Sequence, residues 1–99
     1  MEFEKTEENG ILTYHVTGRV DSNTVGELEK EFTRNFDGVE KLVFDFDGLE
    51  YISSAGLRVL FGAYKRMMGH GKMTFRNVNE VIREIFRITG VSNYFVIER

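Results

Sequence analysis

Residues 45–60 read DFDGLEYISSAGLRVL. Two carboxylates and a glycine turn lead into adjacent serines, then a small-residue step at Ala55 and Gly56, then the start of an apolar helix. Immediately upstream, KLVFDF (41–46) is apolar on both faces, the pattern of a strand buried in the middle of a sheet. Downstream, Leu57, Leu60, Phe61, Tyr64, Met67 and Met68 recur at helical spacing as far as the GHG stop at 69–71, and KMTF (72–75) is a short strand. A strand, a helix and a second strand in that order imply parallel pairing through a right-handed crossover. This unit makes the fold class α/β.

Working outward, MEFEKT and ILTYHVTG alternate in strand fashion on either side of EENG and read as a hairpin, with Leu12, Tyr14 and Val16 on one face. VDSNT (20–24) offers Ser22, Asn23 and Thr24 as helix caps. Val25, Leu28, Phe32 and Phe36 then predict an amphipathic helix ended by FDG. VNEVIREIFRITG predicts a third helix, with Val81, Ile82, Ile85 and Phe86 on one side and Gly90 as its stop. NYFVIE closes as a last strand or tail. The expected order is β-β-α-β-α-β-α-β: a small mixed sheet with helices packed mainly on one face, in a single domain over residues 1–99.

Composition narrows the function. An apolar fraction of 41% and a charged fraction of 29% suit a water-soluble fold. A net charge of −3, with both signs interspersed, leaves no basic face for a nucleic acid and no polybasic membrane segment. The absence of cysteine excludes disulfides and thiolate chemistry. The opening MEFEKTEENG is the opposite of a signal peptide, and the longest apolar runs fall far short of a bilayer span, so a cytoplasmic protein is expected.

Catalysis finds little support. A serine nucleophile needs a base within reach, yet the histidines are His15, inside a strand, and His70, in a turn, and no G-x-S-x-G elbow occurs. Asp45 and Asp47 lie two apart and, with Asp21, could in principle chelate a hard cation; the simpler reading has Asp47 opening a turn with Gly48 while Asp45 bonds a loop backbone. Gly10, Gly18, Gly38 and Gly48 form no phosphate-cradling loop. In α/β sheets sites gather beyond the carboxyl ends of the strands. Here that places GRVDSNT and DFDGLEYISSAG, hence Asp21, Asp45 or Asp47, Ser53 and Ser54, at one end of the sheet. Ser53 suits an N-cap and Ser54 an exposed first-turn residue. The second serine and Gly56, costly in a first helical turn, call for another explanation, such as close approach of another backbone or a partner.

The stretch LVFDFDGLEYISSAGLRVLFGAYKRM resembles the signature of STAS domains, specifically the bacterial anti-sigma factor antagonists. GRVDSNTVGELEKEF and NVNEVIREIFRITGVSNYFVI extend the resemblance over nearly the whole chain. The resemblance implies a small α/β domain without catalysis or cofactor, monomeric when free. It captures an anti-sigma factor that is also a serine kinase, releases it when a serine at the head of the second helix is phosphorylated, and is reset by a serine phosphatase. Counted back from the Gly56–Leu57 pair, Ser54 takes the phosphoacceptor position and Asp21 the acidic position on the neighbouring loop. Ser53 is the alternative acceptor, standing where many phosphorylated members carry aspartate. The expected partner surface is Asp21, Ser22, Asn23, Ser53, Ser54, Ala55, Gly56 and Arg58. Some STAS domains work without phosphorylation, so a constitutive adaptor in a larger signalling or transport complex is the alternative reading.

Overall fold

A computed structural model describes residues 1–33 and 36–98. The chain opens with a hairpin: β1 (Glu2–Glu8) and β2 (Ile11–Val20) pair antiparallel from Glu8↔Ile11 to Glu2↔Thr17. Asn9 and Gly10 form the turn, with φ of 52° and 80°. Two successive positive φ values match the right-handed twist of the strands they join, which is why Asn-Gly sits here. The chain continues through α1 (Gly26–Glu31), β3 (Lys41–Asp45), β4 (Leu49–Ile52), α2 (Ser54–Met67), β5 (Lys72–Arg76), α3 (Glu80–Thr89), a 3₁₀ turn (Val91–Asn93) and β6 (Val96–Ile97). The sheet order is β1-β2-β3-β5-β6, with every pair after the hairpin parallel, and β4 pairs with β2 off this path.

One face of the sheet carries the core. Leu12, Tyr14 and Val16 of β2, Leu42 and Phe44 of β3, and Met73 and Phe75 of β5 pack in one cluster with the buried residues of all three helices. Tyr14, Phe44 and Phe75 stand at matching register on neighbouring strands and stack at centroid separations of 5.8 and 5.2 Å. Phe32 meets Tyr14 and Phe44 edge-on, and Phe86 meets Phe75 likewise, the geometry aromatic quadrupoles favour. On the opposite face Glu98 reaches across to Lys41 at 2.6 Å and accepts a hydrogen bond from Thr74.

Four expectations need correction. The run Leu49–Ile52, expected as part of a loop, is the extra strand β4: Gly48 (φ 91°) turns the chain, and the backbone of 49–52 finds open partners at the end of β2, beyond the last residue paired with β3. The first helix is only six residues long, although Val25, Leu28, Phe32 and Phe36 are all buried as their spacing requires. Its end tightens into three-residue turns, with Phe32 N–H bonded to Glu29 and Thr33 N–H to Lys30, so periodicity marked burial more faithfully than helix. The helix starts after Val25 with no side-chain cap, so Ser22, Asn23 and Thr24 do not cap it. Finally, Val81 and Met68, expected on the apolar sides of α3 and α2, are 57% and 64% exposed.

Candidate functional site

The pairing of β4 with β2 builds the candidate site. Arg19 aligns with Tyr51 and Val20 with Ile52, and the Ser53 amide then donates to the Val20 carbonyl at 2.9 Å. Two chain exits therefore leave the same strand end side by side, one into the Asp21 loop and the other into α2. Asp21, Ser53 and Ser54 come together as the topology requires.

Each exit is held by its own polar contacts. Half-buried Asp21 accepts the Asn23 amide at 2.9 Å through Oδ1, and its amide donates to Thr24 Oγ1 at 2.9 Å. Its carbonyl accepts from the amides of Thr24 and Val25. Asp21 thus folds the loop, as Asx turns do, and leaves Ser22 and Asn23 exposed. At the other exit Ser53 is the N-cap of α2, extended in backbone, its Oγ accepting the Gly56 amide at 3.4 Å. Ser54 is the first residue inside the helix and is exposed. The two serines therefore differ in role: one hydroxyl is engaged by the helix end and the other faces outward.

Gly56 is buried, and a Cβ there would lie 2.7 Å from Ile52 Cγ1 and 2.8 Å from Val20 Cγ1. The approach that its small size permits is thus made by the chain's own strand ends, which accounts for the glycine without an outside partner. Ala55 is half-buried, and Arg58 is exposed one turn beyond Ser54.

Asp45 and Asp47 go elsewhere. Leu42 and Phe44 face the core, so Asp45 faces the opposite side of the sheet, aligned with His15 and Arg76. Its Oδ1 accepts from the Asp47 amide at 3.1 Å and the Asn77 amide group at 2.9 Å. Burial pushes the Asp45 carboxyl up, but these bonds, with nearby His15 and Arg76, outweigh it and hold the group below the ordinary carboxylate range. The turn is tied down further by His15 Nε2, which donates to the Asp47 carbonyl at 2.9 Å. The three aspartates do not converge, and no group of three metal-ligating side chains occurs among the described residues. None of the helices described is long and apolar enough to cross a membrane.

The structure adds one pair that sequence reading missed. Arg19 lies over the Tyr51 ring at 4.6 Å, on the strand ends that carry the two exits. The signal was the β-prone Leu49–Ile52 run after Asp47-Gly48, which reads as a strand once the turn is allowed to end there.

The family model for the STAS domain matches residues 2–99. This chain belongs to the STAS domain family. The Bordetella bronchiseptica (strain ATCC BAA-588 / NCTC 13252 / RB50) protein BtrV, named as an anti-sigma factor antagonist, is 34% identical over 89 residues, spanning 88% of this STAS domain and 77% of BtrV. Among solved structures, an anti-sigma factor antagonist from Mycobacterium paratuberculosis superposes with a TM-score of 0.85 at 22% identity, covering 97% of this chain and 83% of that one. SpoIIAA in its unphosphorylated form gives 0.82 at 18% identity, covering 99% and 89%. The Bacillus SpoIIAA in its phosphorylated form gives 0.75 at 17%, covering 99% and 92%. At these identities the structures establish that the STAS domain shares their fold.

Proposed function

We propose that this STAS domain is an anti-sigma factor antagonist whose binding is switched by phosphorylation of Ser54. Unphosphorylated, it captures an anti-sigma factor that is also a serine kinase; phosphorylated, it releases that partner, and a serine phosphatase restores it. The observation that carries the reading is the exposed Ser54 hydroxyl at the head of α2, beside the loop folded by Asp21 and next to a serine already committed to capping. The name of BtrV as an anti-sigma factor antagonist supports the class alone. The partner surface comprises Asp21, Ser22, Asn23, Ser53, Ser54, Ala55 and Arg58, with Gly56 shaping it from beneath.

Charge supplies the switch. A phosphate adds about −1.5 to −2 near neutral pH. The free amides at the helix start can stabilise it, so modification leaves the fold intact. A like-charge pair at ~6 Å with an effective dielectric of ~20 costs ~3 kcal/mol before screening. Half of that directed at an interface weakens binding about tenfold.

The test uses a purified cognate kinase and ATP. One phosphate is expected, abolished by Ser54→Ala and retained in Ser53→Ala. The Ser54→Ala protein should hold the partner constitutively, and Ser54→Asp should bind about tenfold or more weakly. Equal affinity of those two variants removes the switch and leaves a constitutive adaptor.

A further inference from the structure

We propose that the row on α2 running from Ser54 through Arg58 to Gly62 is a docking ridge for an acidic helix of the partner, a reading that rests on the proposed capture function. Helix α2 carries Arg58, Lys65 and Arg66 and not one aspartate or glutamate, in a chain whose net charge is −3. Facing it across an open groove of about 200 Å³ is α1, with Phe32 and Val59 lining the groove, Glu29 on the α1 side and Arg58 on the α2 side.

Gly62 marks where a partner fits. Glycine is among the least favourable residues inside a helix, so its presence calls for a physical cause. At Gly56 that cause is Ile52 and Val20; at Gly62, apart from its chain neighbours and the backbone of its own helix, no atom among the described residues lies within 4 Å of where a Cβ would stand. Residues four apart form the ridges that helices interlock when they pack, and Gly62 is a gap in the row that starts at Ser54 and Arg58. A crossing helix can lower its own ridge into that gap and set a carboxylate against Arg58. Glu29 repels acid on the far wall, which fixes the direction of approach.

The same geometry couples docking to modification. Ser54 and Arg58 are one turn apart, the spacing at which side chains on a helix meet. A phosphate on Ser54 would take up Arg58 as its own partner and withdraw that cation from an incoming carboxylate.

The experiment titrates the purified anti-sigma factor retained by the Ser54→Ala protein into the full chain, at about 50 and about 300 mM salt. Arg58→Glu and Gly62→Gln are each expected to weaken binding about tenfold or more. Arg58→Glu should also flatten the salt dependence, while Lys72→Glu, an equal charge change on β5, stays within about twofold of wild type. Gln is a better helix former than Gly, and circular dichroism confirms that each variant folds. If Arg58→Glu and Gly62→Gln bind like wild type while Ser54→Asp does not, the ridge is overturned and the switch stands. If Ser54→Asp also binds like wild type, the switch itself fails and a constitutive adaptor remains.

Discussion

Two glycines about 9 Å apart along one helix, by the ~1.5 Å rise per residue, answer to opposite constraints. At Gly56 an added methyl would press on Ile52 and Val20, both buried and fixed by strand pairing. Gly56→Ala should therefore destabilise the fold by about 1–3 kcal/mol, the usual cost of overpacking, seen as a lower urea midpoint. At Gly62 the added methyl meets open space among the described residues, and Gly62→Ala should raise stability by up to ~1 kcal/mol in the same assay. The sequence presents both as glycines inside one helical stripe. Nothing local separates them, because the difference lies in what the sheet brings up against the helix.

At the scale of elements, the strand β4 was the main feature hidden in the sequence. Four residues between a turn and a helix cap are too few for alternation to declare itself, and pairing with the far end of β2 is a tertiary event. By contrast, the hairpin, the central strand and the second helix were legible, because Asn9-Gly10, the apolar Leu42–Phe44 run and the Leu57–Met67 stripe each combine length with punctuation. The third helix stops at Gly90 as its sequence predicts but starts two residues late, at Glu80, and its apolar side is narrower than expected: Ile82 and Phe86 are buried, whereas Val81 faces out. Its anchor is Asn79, which accepts the Ile82 amide at 2.9 Å and donates to the Leu49 carbonyl at 2.8 Å. Asn79→Ala removes a cap and a tie to β4 together. A loss of about 1–2 kcal/mol is expected on unfolding, larger than for Ser53→Ala, whose cap bond is 3.4 Å long.

For the whole molecule, the acid limb of stability should report on the side of the sheet opposite the core. Asp45 and Glu98 both have carboxyls held below the ordinary range, Asp45 by its bonds to Asn77 and the Asp47 amide against the cost of burial, and Glu98 by Lys41 and then Thr74. A carboxyl depressed in the folded state stabilises it fully above its unfolded value, about 4, and that contribution is lost as pH falls through the folded value. Chemical denaturation across that window should show stability declining toward acid, with a shallower decline in Asp45→Asn and Glu98→Gln. An unchanged slope in both variants would sink this assignment. Of the candidate site, the co-location of Asp21 with the serines was legible from topology alone. That Asp45 leaves for the opposite face follows from strict alternation along β3, which a single sequence shows only once the start of the strand is known.

The bond from Ser53 N–H to the Val20 carbonyl riveted the two exits to a common post. A messenger built on such a post has no moving parts: under the proposed switch its two states share one backbone trace and differ in surface charge. How quickly it changes its answer is then governed by the enzymes that write and erase the mark, with no refolding delay.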